Sequence, residues 1–142
     1  MFMKMKFTLF ILLLLAINVA TAQTNPPANA DTAKIEFEST VYDFGKIEEG
    51  SPGKAVFIFK NTGTKPLVIN WVKSSCGCLV PSYDREPVMP GKTGKITGHY
   101  DTKRIGPFTK ALTVSTNSDT EIITLIIKGE VLKKEEDATP KN

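Results

Sequence analysis

The chain has little of what chemistry at an active site is usually made from. Its 142 residues include two cysteines, one histidine and one tryptophan. A structural zinc site is usually closed by four Cys or His ligands, and Cys76, Cys78 and His99 are too few to close one. Charge of one sign is also lacking. The formal net charge is +3, and setting aside Lys4 and Lys6, which fall in the leader described below, leaves 16 of the 18 basic residues against 15 acidic ones. The only basic cluster, Lys133-Lys134, runs directly into Glu135-Glu136-Asp137. No cationic stripe can therefore track a phosphate backbone, and nucleic acid is excluded as the default partner. There is no Gly-rich phosphate loop, calcium loop or Gly-x-Ser-x-Gly elbow, and no long amphipathic helical pattern.

A long hydrophobic run is missing too. Phe7 to Val19 is apolar apart from Thr8 and Asn18, shorter than the roughly 20 residues that span a bilayer. It follows a positive start and precedes Ala20-Thr21-Ala22, an A-x-A cleavage pattern, so residues 1–22 read as a secretory signal peptide. No cysteine lies near the cleavage site to take a lipid. The expectation is an exported protein, periplasmic or extracellular, with no stable membrane insertion after cleavage. Residues 23–33, with paired prolines, are expected to be a flexible lead-in, and residues 133–142, KKEEDATPKN, a disordered charged tail.

What remains, 34–132, is the size of one domain, and at 41% hydrophobic and 23% charged residues the composition is that of an ordinary globule. Short β-branched or aromatic runs alternate with Gly, Pro, Asn and Asp. Ala55 to Phe59 ends in Asn61-Thr62-Gly63, hairpin-like punctuation in which glycine can take a positive φ, and Pro66 reopens an extended stretch to Val72. Pro90-Gly91 introduces Lys95 to Asp101, where Ile96, Gly98 and Tyr100 share one face and Thr97, His99 and Asp101 the other. Phe108 to Thr116 and Ile122 to Val131 carry Leu112, Val114, Ile123, Leu125, Ile127 and Val131 inward and read as central strands. With Lys34 to Glu38, Val41 to Phe44 and Leu79 to Tyr83, the pattern predicts an all-β, immunoglobulin-like sandwich of about seven strands in two antiparallel sheets. Whether Trp71 or Val72 faces the core is left open by the alternation.

Six ordered motifs sharpen this reading. They are Asp43-Phe44-Gly45-Lys46-Ile47 with Glu49-Gly50, Phe57 to Gly63, Pro66 to Ile69, Cys76-Gly77-Cys78, Pro90-Gly91, and Gly106-Pro107-Phe108 leading to Thr116-Asn117. Together they resemble the bacterial domain of unknown function 1573 family, common in envelope and secreted proteins of the Bacteroidetes. The resemblance implies an immunoglobulin-like sandwich akin to the modules of major sperm protein and of cilia-associated proteins, and it implies no reaction. Leu79 stands where the family often has Thr, a difference expected at the rim of the cysteine motif.

Cys76-Gly77-Cys78 is the one unusual constellation. Residues two apart in a regular strand sit nearly 7 Å apart at Cα, at the upper limit for a disulfide, so the segment must bend, and Gly77 permits the bend. A structural staple, thiol exchange, a soft-metal site such as Cu(I) and pairing with another chain all remain open. His99 reads as a solvated strand residue beside Asp101, since no nucleophile accompanies it. Asp43 reads as a turn carboxylate receiving backbone donors. Asp43, Phe44, Gly45, Asn61, Gly63, Gly77, Pro90 and Gly91 are expected to be structural. No cofactor is expected. The functional expectation is a non-catalytic module that binds an unknown envelope or extracellular protein through a sheet face, an end loop or an edge strand, with its oligomeric state open. The alternative is a thiol redox or copper-handling protein acting through Cys76 and Cys78.

Overall fold

Alternation of side chains between a buried and a solvated face recurs along eight strands in a computed structural model that describes residues 31–135. They are β1 (Ile35–Phe37), β2 (Val41–Glu48), β3 (Lys54–Asn61), β4 (Ile69–Ser74), β5 (Leu79–Tyr83), β6 (Thr93–Tyr100), β7 (Gly106–Thr116) and β8 (Ile122–Leu132). One sheet has the order β1-β3-β6-β5 and the other β2-β8-β7-β4. The inner faces meet in a core that includes Phe57, Phe59, Ile96, Leu112, Leu125 and Ile127, and each such side chain contributes about 1.5–3 kcal/mol by leaving water. β7 and β8 are central, as their patterning predicts. The expected leader and most of the expected lead-in and tail lie outside the described residues.

Each of the eight runs read from the sequence forms one strand, close to the expected count of about seven, and one sheet is mixed rather than antiparallel. After β1 pairs with β3, the chain crosses to the other sheet, where β2 runs parallel to β8. β2 also outlasts the expected Val41 to Phe44 run, because a register shift between Asp43 and Lys46 breaks the alternation and hides the continuation to Glu48.

Asn61-Thr62-Gly63 does not make a hairpin. β3 and β4 belong to different sheets, and Gly63 is not among the glycines with positive φ. Its lack of a side chain serves close approach instead: a Cβ there would sit 2.3 Å from the Thr32 carbonyl oxygen. That carbonyl accepts the Thr64 and Lys65 N–H groups at 2.9 and 3.3 Å. Asp31 to Ala33, read from sequence as lead-in, is consequently held against the sandwich. Asp31 pairs with Lys65 at 2.7 Å, and Ala33, 2% exposed, bridges to Ser118.

A second register shift, between Ile69 and Trp71, resolves which residue of β4 faces inward. The extra residue brings both Ile69 and Val72 into the core although they are three apart, and leaves Trp71 half-buried on the outer face. Leu79, expected at the rim of the cysteine motif, is 1% exposed and belongs to the core.

Candidate functional site

Asn61 is 0% exposed, and its side-chain amide uses its whole hydrogen-bonding capacity. Nδ2 donates to the carbonyls of Lys65 and Val88, each at 2.8 Å, while Oδ1 accepts the N–H of Gly63 at 2.9 Å and of Lys34 at 3.4 Å. Pro90 and Gly91, φ 78°, form a turn in which Lys92 N–H donates to the Met89 carbonyl at 3.0 Å, and Gly91 N–H returns to the Asn61 carbonyl at 2.8 Å. Asp43 accepts the Gly45 N–H at 2.8 Å across the β2 bulge, where Gly45 has φ 62°. That bond, followed by Lys128 at 3.4 Å, holds its carboxyl below the usual carboxylate range. Phe44 packs on Phe108 with ring centroids 5.9 Å apart.

Cys76 and Cys78 are joined in a disulfide with their Cα atoms 5.2 Å apart, within normal reach. The bond sits where the chain turns from the edge of one sheet to the edge of the other. Ser75 N–H donates to the Ala111 carbonyl on β7 at 2.9 Å, and the Cys78 carbonyl accepts Asp101 N–H after β6 at 2.9 Å. Gly77 is exposed with open space around it. Among the described residues no group of three or more His, Cys, Asp or Glu could hold a metal ion. The geometry adds nothing to the thiol or copper alternative, and it makes the pair part of a corner.

His99 is exposed, flanked in its ladder by Lys54 and Val80. Asp101 does not join it. Its carboxylate turns instead to the following loop, accepting the Lys103 N–H at 3.2 Å and the Arg104 Nε–H at 3.3 Å. Tyr100 stacks on Phe108 at 3.9 Å, and burial pushes its hydroxyl pKa up.

The strand edges are what remain. β1 has three residues. β2 is split by its bulge, and its Asp43 and Lys46 are paired with Lys128 and Glu130. β5 carries Pro81 in its middle. Because Tyr100 N–H points to Gly53 and Asp101 N–H to Cys78, strand alternation directs the backbone of Val80 and Ser82 to β6 and that of Pro81 outward. The N–H that proline lacks is thus the one an incoming strand would use. β4 is different. Thr116 N–H points to Glu121 and Ser75 N–H to Ala111, so Trp71 and Lys73 bond to β7 while the backbone groups of Val72 and Ser74 are directed outward. β4 carries no proline, and its stretch from Trp71 to Ser74 is regular. Lys73 is its only charge, and its ammonium lies 4.7 Å from the centre of the Trp71 ring. This edge was missed by sequence reasoning. The Trp71-Val72-Lys73 triplet was its only signal, and the bulge concealed its phase.

Two four-stranded sheets, with β1 in one and β2 in the other, define an immunoglobulin-like β-sandwich domain. The chain belongs to the family described as protein of unknown function (DUF1573), whose model matches residues 35–131. It is similar in fold to a protein of unknown function from Porphyromonas gingivalis W83, at 24% identity and a TM-score of 0.64 over 75% of this chain and 51% of that one. It therefore spans about half the length of that protein. The ASH / PapD-like domain of human CEP192 is similar at 12% identity and a TM-score of 0.62, over 82% of this chain and 97% of that one. A chain of the CsuC–CsuE chaperone–tip adhesion subunit complex of Acinetobacter baumannii is similar at 11% identity and a TM-score of 0.50, over 70% of this chain and 57% of that one. No curated protein matches significantly.

Proposed function

We propose that this chain is an exported, non-catalytic interaction module that binds an extended segment of another envelope or extracellular protein along the free edge of β4. The observation that carries the reading is the contrast among edges. β1 is short, β2 is bulged and charge-paired, β5 is closed by Pro81, and β4 alone among the described edges keeps a regular run with backbone groups directed outward. Natural sandwiches blunt edges that have no partner, and although a bulge begins β4 and Lys73 lies on it, its run from Trp71 to Ser74 is the least blunted of the described edges. Strand addition supplies main-chain hydrogen bonds for affinity, and side chains such as Trp71 for selectivity. Export rests on the amino-terminal pattern of residues 1–22. A complex of a chaperone and a tip adhesion subunit, built on a similar fold, is consistent with a binding role.

The test is in the cell. A photo-crosslinking amino acid at Lys73 is expected to trap a defined partner in the native envelope, and one at Lys95, on the other sheet, is not. Equal trapping at both positions would count against the edge. Mass spectrometry of the recovered protein is expected to find Gln23 at its amino terminus.

A further inference from the structure

β4 has a property that the other edges lack. Its regular run reads Trp71-Val72-Lys73-Ser74, and Trp71 to Lys73 complements itself about Val72. In an antiparallel pair of identical strands centred on Val72, Trp71 stands opposite Lys73 on both sides of the axis. Val72 and Ser74 direct their backbone groups outward, so the central pair can exchange main-chain bonds. Trp71 and Lys73 share the outer face, where a cation already sits on the indole within one chain. Centring the pair on Lys73 instead would oppose two like charges, which is unfavourable.

We infer that β4 of one molecule pairs antiparallel with β4 of a second copy of this chain, about a twofold axis at Val72. The edge therefore binds this chain itself, in a closed, isologous contact that uses up both free edges and stops at two copies. The Cys76–Cys78 corner bounds the paired run at one end, and the Leu67–Val88 bridge at the other. The inference rests on the edge reading above and narrows it to one partner.

Trp71 is the only tryptophan, so fluorescence reports on this contact without labelling. The protein, purified as the cell produces it, is diluted from about 1 mM to about 1 µM while its emission and sedimentation are followed. A shift in Trp71 emission that coincides with dissociation from two copies to one is expected. Trp71→Lys sets like charges opposite each other across both symmetric pairs and is expected to weaken association by about 10-fold or more. Combining Trp71→Lys with Lys73→Trp returns one cation and one ring to each pair, and association is expected to recover. Circular dichroism checks that each variant keeps the β fold. A protein that stays single with constant emission across the whole range overturns the second copy as partner. A dimer that the exchanged pair fails to restore overturns the Val72-centred register. If the chain stays single while Lys73 traps a different protein in the envelope, the second copy falls and the edge reading stands. If neither is seen, both fall.

Discussion

Asn61 shows how one buried polar side chain can tie several segments together. Its amide reaches Lys34 before β1, Gly63 and Lys65 in the crossover, and Val88 before the turn into β6. Asn61→Ala would leave the carbonyls of Lys65 and Val88 and the Gly63 N–H without these partners. The expected loss is about 3 kcal/mol, a large part of the 5–15 kcal/mol typical of a domain. Urea unfolding measures it, and a loss below about 1 kcal/mol would mean that water replaces the amide at no cost. The motif around Asn61 is plain in the sequence, but its role is not. Asn-Thr-Gly has the composition of a tight turn, and only the approach of Thr32 and Val88 shows that the amide is a hub and that Gly63 is small for want of space.

The strands carry a similar lesson about edges. Pro81 in β5 looks out of place by propensity, yet it costs the ladder nothing, because the N–H it lacks faces away from β6. Pro81→Val is expected to change the stability of the isolated molecule by less than about 1 kcal/mol while adding an outward donor to the edge. Light scattering at matched concentration is expected to show association beyond that of the parent protein, and unchanged scattering would remove Pro81 as a guard. β7 and β8 were legible because their core aliphatics keep period two between two paired neighbours, whereas β6 buries Thr97, which the alternation put on the outer face, between Ile96 and Gly98. β2 and β4 were legible only in part, since each contains a residue that shifts the phase, at Gly45 and at Asn70.

At the scale of the whole molecule, the Cys76–Cys78 bond closes a very short loop, so it removes little entropy from the unfolded chain, about 1.5 kcal/mol. Replacing Cys76 and Cys78 together with Ser is expected to lower the midpoint of thermal unfolding by roughly 6–12 °C for a domain of this size and to leave the fold intact. Calorimetry of the double variant checks this, and failure to fold would show that the corner does far more than close a loop. The sequence alone determined the class of fold and the inward faces of β7 and β8, because these follow from alternation, which is local. Only the tertiary structure decided the placing of β1 and β2 in opposite sheets with β2 parallel to β8, the direction in which Pro81 and Val72 present their backbone groups, and the openness of β4. Those depend on which strands become neighbours, a matter of long-range pairing on which local patterning is silent.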